Sequence, residues 1–177
     1  MDVLSCTTVP AVLSTHQSVG YRIPVNAIAQ MVDRFDHIVG VNSSHADVAY
    51  LTAIIDAVGD RVDVHVGGPL QALTALGLGA NGFLSSEANL APHLCMSVIA
   101  AYEQGAGTDL FVAFGRLARL SMALYGAGGI RATKAVLNRL GLPGGYPRKP
   151  QLPVPDATVE GLMTVIDDLR LRALEDW

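Results

Sequence analysis

The stretch His37–Asp47, with the sequence HIVGVNSSHAD, decides how the rest of the chain is interpreted. Its first part, Ile38–Val41, is an apolar segment of strand length that runs directly into a polar loop. Asp47 ends this loop and is a favoured helix-capping residue. The residues that follow it at helical spacing, and that we expect to face inward, are Val48, Leu51, Ile55 and Val58.

The same strand-then-helix pattern occurs four times. The predicted strands are Val9–Leu13, Ile38–Val41, Val62–Val66 and Gly82–Leu84. The helices after them begin near Pro24, Asp47, Leu70 and Asn89. Short, almost entirely apolar strands are typical of a parallel sheet covered by helices. The sequence therefore predicts an α/β fold, with four strand–helix units over residues 1–105 and a helical extension of the same domain over 106–177.

The composition is apolar for a soluble domain. Half of the 177 residues are hydrophobic, 16% are charged, and the mean hydropathy is +0.36. No apolar run approaches the roughly 18 residues that a membrane span needs, and no charged leader with an apolar core begins the chain. We therefore expect neither a membrane protein nor a secretory signal, and we attribute the apolar composition to burial against other subunits in an oligomer.

The charge pattern argues against a nucleic-acid partner. The net charge is −4, the arginines form no basic run, and the only lysines are Lys134 and Lys149. The two cysteines, Cys6 and Cys95, are too few for a disulfide framework or a metal cluster, and we expect Cys95 to be a buried apolar residue. The sequence predicts no cofactor and no metal, and it favours a reducing cytoplasm.

Three motifs resemble one enzyme family, the dihydrodipicolinate synthase and N-acetylneuraminate lyase family of (β/α)8 aldolases. HIVGVNSSHAD is similar to that family's pattern N-I-V-G-I-K-(D/E)-(S/A)-S-G-D. HVGGPLQALTALGLGANGFLSSEANLAP is similar to L-S-G-D-D-…-L-G-A-x-G-V-I-S-V-x-A-N-x-x-P, and TKAVLNRLGLPGGYPRKPQLPV to K-x-A-L-x-x-x-G-L-…-V-R-x-P-L. The resemblance runs from about Val9 to the end of the chain.

The resemblance implies a half-barrel. A complete barrel of this type takes about 250 residues, whereas this chain matches strands five to eight and the C-terminal helices. Four strands alone leave parallel edges unpaired near Val9 and Gly82, and such edges favour aggregation. We therefore expect a partner: a separate chain that supplies strands one to four, a homologous subunit, or a second copy of this chain.

The resemblance also shows that two active-site residues are replaced. The family forms a Schiff base from a lysine at the end of strand six and relays protons through a tyrosine at the end of strand five. Asn42 stands at the lysine's place and Ser14 at the tyrosine's place. An amide cannot form an imine, because its nitrogen lone pair is delocalised, whereas a lysine amine can. Lys134 and Lys149 follow no predicted strand.

Four residues are candidates for catalysis. Asn42 could bind the carbonyl or carboxylate group of a substrate. Alternatively, it marks a position where the lysine has been lost. Ser14 and His16 would face the barrel interior if their strand continues through His16, and they could then transfer protons; otherwise they are loop residues. His45 lies near the barrel mouth. It could act with His16 and Asp47 on a metal, but their spacing matches no established metal motif, and capping explains Asp47.

Four further residues are candidates for substrate binding. Gly67 and Gly68 match the family's glycine-rich strand end, and Leu84 matches an apolar position beside the bound keto acid. Glu87 is the acid at the last strand's mouth, either as a base or, more simply, as a solvated carboxylate. Two other side chains have weaker claims: His65 is expected to be buried and bonded to backbone, and Tyr21 could replace the missing tyrosine.

Two functions remain open. The chain could be half of an enzyme that acts on a carbonyl or keto-acid-like small molecule without a lysine of its own, with a lysine possible on the partner. It could instead be a non-catalytic subunit, a pseudoenzyme that stabilises or regulates a homologous aldolase. A shortened gene product is a third reading, and the initial Met just before a strand argues against it.

Overall fold

The computed structural model describes residues 3–177 and divides the chain into two compact units, one ending at Leu84 and one spanning Ser85–Trp177. The first unit holds the sheet and the second is helical. This division does not test the predicted organisation over 1–105 and 106–177, which stays a prediction. The short 3-10 helices are Val3–Cys6, Gln17–Val19, Pro69–Gln71 and Ser86–Asn89.

The first unit contains a four-stranded parallel sheet in the order β1-β2-β3-β4. The strands are β1 (Ala11–His16), β2 (Ile38–Ser44), β3 (Asp63–Gly67) and β4 (Gly82–Leu84). Each strand lies beside the one that precedes it in sequence. Since crossovers between parallel strands are right-handed, this order places the connecting helices on one face of the sheet, as in a barrel.

Two strands extend further than expected. We expected the first strand over Val9–Leu13 and the second over Ile38–Val41, but parallel pairing continues to His16 opposite Ser44. The difference arises because the apolar residues reveal only the segment that is buried against helices. The backbone hydrogen bonds continue into the polar segment, where composition gives no strand signal.

The helices of this unit are α1 (Val25–Arg34), α2 (Val48–Val58) and α3 (Ala72–Gly77). They cover the sheet face that carries Val41, Val64 and Val66, which are all fully buried. The inward stripe of α2 differs from the prediction: Val48 is exposed, and the buried residues are Tyr50, Leu51, Ile54 and Val58. These four residues also follow helical spacing, so the periodicity was right and the chosen face was rotated.

The second unit consists of α4 (Pro92–Glu103), α5 (Gly107–Gly126), α6 (Ile130–Arg139), α7 (Asp156–Asp168) and α8 (Leu171–Glu175). Its fully buried leucines and isoleucine include Leu94, Leu117, Leu124, Ile166 and Leu171. The single last helix that we expected is two helices, because Arg170 adopts a left-handed conformation (φ 52°) between them.

Within residues 3–177, no single helix has both the length and the apolar composition needed to cross a membrane, although α5 and α6 together do, with a bend of 105° between them.

Candidate functional site

Polar side chains form a row across three strands near their carboxyl ends. Ser14, Asn42 and His65 are register partners on β1, β2 and β3, and Gly82 follows on β4. Side chains alternate between the faces of a strand, so this row lies on the face opposite Val41 and Val64. The sequence placed Ser14 and Asn42 at the strand ends, and the structure brings them into contact.

Asn42 is the centre of this row. Its Nδ2 donates to Ser14 Oγ and to Ser44 Oγ, each at 3.1 Å. The side chain is only 7% exposed, and its Oδ1 has no hydrogen-bond partner within the described residues. An unsatisfied buried acceptor costs about 1–3 kcal/mol. The unused capacity of Asn42 is therefore an acceptor, which matches a hydrogen-bond donor better than the carbonyl or carboxylate that we expected.

Ser44 is a residue that sequence reasoning missed. It lies two positions after Asn42 on the same strand and therefore on the same face. It is buried, and its hydroxyl accepts from the Asn42 amide. Extending the predicted strand by three residues would have found it.

His16 bonds to its own turn. Its Nδ1 accepts from the Ser18 backbone N–H at 3.1 Å and lies 2.7 Å from the Ser18 Oγ. His16 and Ser14 share the same face of β1, but the structure shows no hydrogen bond between them. The predicted Ser14–His16 pair is thus adjacent on one face but not coupled.

His45 lies on the helix-covered side, away from Asn42. Its Nε2 is 3.0 Å from the Thr15 hydroxyl, and its ring meets Tyr50 edge-on at 5.5 Å. Burial lowers the pKa of His45 below its usual value, and the charges of Arg22 and His16 lower it further, while Asp47 opposes them. His45 is therefore neutral near pH 7. Thr15, its buried partner, was missed because its strand was predicted to end at Leu13.

The loop after β1 is held to the start of α2. Arg22 Nη1 donates to Asp47 Oδ2 at 2.7 Å, and the Tyr50 hydroxyl donates to the Ile23 carbonyl at 2.6 Å. Asp47 also accepts from the Tyr50 backbone N–H, which confirms its predicted capping role. That N–H and then Arg22 lower the pKa of the Asp47 carboxyl. Tyr21 is an exposed residue of this loop.

The glycines after β3 make close backbone contacts. A Cβ built on Gly67 would overlap the Ser44 hydroxyl and lie 2.7 Å from the Ser44 Cβ, so Gly67 makes room for Ser44. Gly68 has φ 110°, and its N–H donates to the Leu84 carbonyl at 2.7 Å. The Leu84 side chain is 51% exposed.

His65 departs from expectation. We expected it to be buried and bonded to backbone, but it is half-buried and forms no hydrogen bond within residues 3–177. Its neighbour across the sheet is Gly82, and a Cβ at Gly82 would lie 3.5 Å from His65 Cδ2. The small neighbour leaves the imidazole partly open to solvent.

Glu87 belongs to the second unit. We expected a solvated carboxylate, but the structure does not show one. Glu87 is buried, and its Oε2 accepts from Ser85 Oγ at 2.7 Å and from Ser86 Oγ at 3.2 Å. The two serine hydroxyls replace the water that a loop carboxylate would bind. Cys95 is buried nearby, as expected, with its Sγ 3.9 Å from Ser85 Oγ. Burial, with the charges of Glu87 and Glu175, raises the Cys95 pKa to about 11 despite the Ser85 hydrogen bond, so this thiol is unreactive.

No group of three or more His, Cys, Asp or Glu residues in the described part of the chain is arranged to hold a metal ion.

Sequence comparison relates this chain to 4-hydroxy-tetrahydrodipicolinate synthases and DapA-like lyases. The family model described as the dihydrodipicolinate synthetase family matches residues 1–169. A 4-hydroxy-tetrahydrodipicolinate synthase of Hyphomonas neptunium is 29% identical over 153 residues, covering 81% of this chain and 52% of that protein. An uncharacterized DapA-like lyase of Pyrobaculum neutrophilum is 26% identical over 182 residues, covering 96% and 60%. The chain thus spans about half the length of the curated relatives that it matches.

Solved structures show the same fold. Dihydrodipicolinate synthase DapA-2 of Bacillus anthracis superposes with a TM-score of 0.86 at 24% identity, covering 93% of this chain and 56% of that one. N-acetylneuraminate lyase of Mycoplasma synoviae superposes with a TM-score of 0.79 at 15% identity, with the same coverage of 93% and 56%. These identities establish the fold alone, which is an α/β fold similar to that of the dihydrodipicolinate synthase barrel. The family model, which matches residues 1–169, shows that the chain belongs to the dihydrodipicolinate synthetase family.

Proposed function

We propose that this chain is the C-terminal half of a dihydrodipicolinate synthase-type barrel that acts on a carbonyl or keto-acid-like substrate without a Schiff-base lysine of its own. The observation that carries this proposal is the polar row Ser14–Asn42–His65 at the strand carboxyl ends. Barrel enzymes of this type react substrates at that end. A row of polar side chains there, of which Ser14 and Asn42 bond to each other, is more consistent with a working site than with random loss.

The proposed chemistry uses hydrogen-bonding and proton-transfer groups on the face of the sheet that carries this row. Asn42 Oδ1 would accept a hydrogen bond from a substrate hydroxyl or from a donor on the partner, because its Nδ2 is already bonded to two serines. Ser14 and His16 would supply proton transfer on the same face. His45 would act indirectly by fixing Thr15.

The proposed pocket wall comes from both predicted glycines and from Leu84. Gly67 and Gly68 bring the backbone close to the pocket, and the half-exposed Leu84 would flank the apolar part of the substrate. Glu87, whose carboxylate accepts from two serine hydroxyls within the second unit, remains a proposed substrate-binding residue.

The proposed assembly completes the barrel with four strands from another chain. Among the described residues, each outer strand, β1 and β4, pairs on one side only. Unpaired backbone groups at a sheet edge are satisfied when further strands pair with them. The partner is a complementary N-terminal half or a homologous subunit, in a cytoplasmic oligomer without nucleic acid or membrane.

A second function is favoured by a specific observation. Asn42 and Ser14, which the resemblance aligns with the family's lysine and tyrosine, bond to each other at 3.1 Å. Two polar side chains that bond to each other are also expected of a non-catalytic subunit that stabilises or regulates a homologous aldolase. The two functions differ in whether any reaction depends on Asn42.

A proton-exchange experiment separates them. The assembly purified from its own host is mixed with pyruvate in D2O, and exchange of the methyl protons is followed by NMR. We expect exchange that is lost in Asn42→Ala and retained in Ser43→Ala. Ser43 is a matched control because its buried hydroxyl has no partner within residues 3–177 and it lies on the opposite face. Equal exchange in both variants would favour the non-catalytic subunit.

Mass spectrometry tests the lysine and the assembly. Borohydride reduction with pyruvate should leave no adduct on this chain, and an adduct would contradict the lysine-independent chemistry. Native mass spectrometry should show a second chain of roughly half-barrel size. A stable monomer, or one longer polypeptide that contains this sequence, would contradict assembly from separate chains.

A further inference from the structure

Three arginines converge on one cleft in the second unit, between α5 and the turn that joins α7 to α8. Arg116, Arg119 and Arg170 line this cleft, which has a volume of about 490 Å3. We infer that it binds a small anionic ligand that carries phosphate or carboxylate groups. The inference is independent of the proposed function, because every residue that lines the cleft lies in α5, α7, α8 or the turn between the last two.

The cleft carries an excess of positive charge in a chain of net charge −4. Asp168 is the one acid on its lining, and the neighbouring Asp167 is already paired with Arg172 at 2.9 Å. Within residues 3–177, the side chains of Arg119 and Arg170 form no hydrogen bond or ion pair. Arg116 and Arg119 are three positions apart on α5, and like charges at that spacing repel. A bound anion would remove this repulsion.

Arg116 is already oriented for binding. Its Nε donates to the Leu169 carbonyl at 3.1 Å, and its Nη2 donates to the same oxygen and to the Arg170 carbonyl. These bonds hold the guanidinium plane, and Nη1 has no hydrogen-bond partner among residues 3–177. A pre-oriented guanidinium loses less side-chain freedom when it binds an oxyanion.

Arg170 occupies an unusual backbone conformation. Its φ of 52° lies in the left-handed region, where glycine and asparagine are the common residues. An arginine at this position is therefore less favourable for backbone stability than a glycine would be. A ligand that binds the guanidinium group would account for an arginine, in place of a glycine, at this position.

The ligand class follows from guanidinium chemistry. Arginine binds phosphate and carboxylate through two parallel N–H donors. Three guanidinium groups around an open cleft suit a small molecule with more than one anionic group. Pyrophosphate and citrate are probes that distinguish phosphate from carboxylate recognition.

Calorimetry on the full chain at low salt tests the site. We expect at least one probe to bind, with affinity reduced about tenfold or more in Arg119→Gln and in Arg170→Asn, because each loses a charged hydrogen bond. Arg170→Asn also suits the left-handed backbone, so its folding is expected to be intact by circular dichroism. Arg148→Gln, which removes an exposed charge from a loop outside the cleft, should bind as the unchanged protein does.

Two results would overturn the inference. Failure of both probes to bind at millimolar concentration would show that the cleft is not an anion site. An equal loss of affinity in all three variants would show that the anion responds to overall charge and not to this cleft.

Discussion

The candidate site depends on which face of the sheet each polar side chain occupies. Asn42 bonds Ser14 and Ser44 on one face, while His45 bonds Thr15 on the other. Successive strand residues point to opposite faces, so neighbours in sequence are separated in space. Asn42 thus lies in the candidate site, whereas His45 lies on the opposite face of the sheet and contacts the site through β1 and β2.

Gly67 is predicted to be essential for this arrangement. In Gly67→Ala the new Cβ would displace Ser44, break its hydrogen bond with Asn42, and destabilise the protein by about 1–3 kcal/mol. Urea unfolding measures the loss. Gly77→Ala is the control, because a Cβ there meets nothing within 4 Å. This substitution should increase the free energy of unfolding by less than about 1 kcal/mol. Equal effects of the two substitutions would contradict the packing role of Gly67.

His45 should make stability depend on pH. Its pKa in the folded state is below the usual value of 6.5, so the unfolded chain binds more protons between the two pKa values. Stability should therefore fall as pH drops below about 6.5 and level off under the folded-state pKa. Urea midpoints between pH 5 and 8 should show this slope, reduced in His45→Gln and kept in His65→Gln. An unchanged slope in His45→Gln would assign the effect to another group.

At the scale of elements, side chains near the end of the chain form hydrogen bonds with backbone groups at and just before the start of α4. The Glu175 carboxylate accepts from the backbone N–H groups of His93 and Leu94, at 2.9 and 2.8 Å, at the start of α4. Trp177 Nε1 donates to the Leu90 carbonyl at 3.2 Å. Glu175 thus satisfies two N–H groups in the first turn of α4, which have no acceptor within the helix, and Trp177 bonds the segment just before that helix.

Removing the Glu175 carboxylate should destabilise the helical unit. Glu175→Ala leaves the buried Leu94 N–H and the part-buried His93 N–H without their acceptor, which we expect to cost about 1–3 kcal/mol. Glu103→Ala is the control, because it removes the same charge from the opposite, carboxyl end of α4, where a negative charge opposes the helix dipole. Thermal unfolding compares them, and equal losses would show that general charge matters more than the cap.

At the scale of the whole molecule, the chain is a parallel sheet with helices on one face and a helical unit after it. Family membership and fold are established, while the completion of the barrel is proposed. Val12 lies on the same face as Ser14 and is 52% exposed. In a closed barrel that face becomes interior.

A lysine at Val12 should therefore block assembly. Val12→Lys would place a charge in the closed barrel and weaken capture of the partner chain, because burial of an unpaired charge is costly. Val48→Lys is the control, since Val48 is 53% exposed at the start of α2, outside the sheet. Native mass spectrometry reports the fraction of complex. Equal capture by both variants would contradict closure over this face.

Much of the fold was predictable from sequence. The repeated apolar segments indicated a parallel α/β sheet, and Asp47 and Gly82–Leu84 were placed correctly, because helix caps and buried strands depend on local chemistry. The site was only partly predictable: Ser14 and Asn42 were named, whereas Thr15 and Ser44 were missed beyond the apolar part of their strands.

The sequence by itself determined the order of strands and helices and the family that the motifs resemble. Only the tertiary structure decided which polar groups meet: Asn42 with Ser14, His45 with Thr15, and three arginines in one cleft. The physical reason is that propensity and periodicity act between near neighbours in the chain. Hydrogen bonds and charges between residues 28 to 54 positions apart depend on how strands and helices pack.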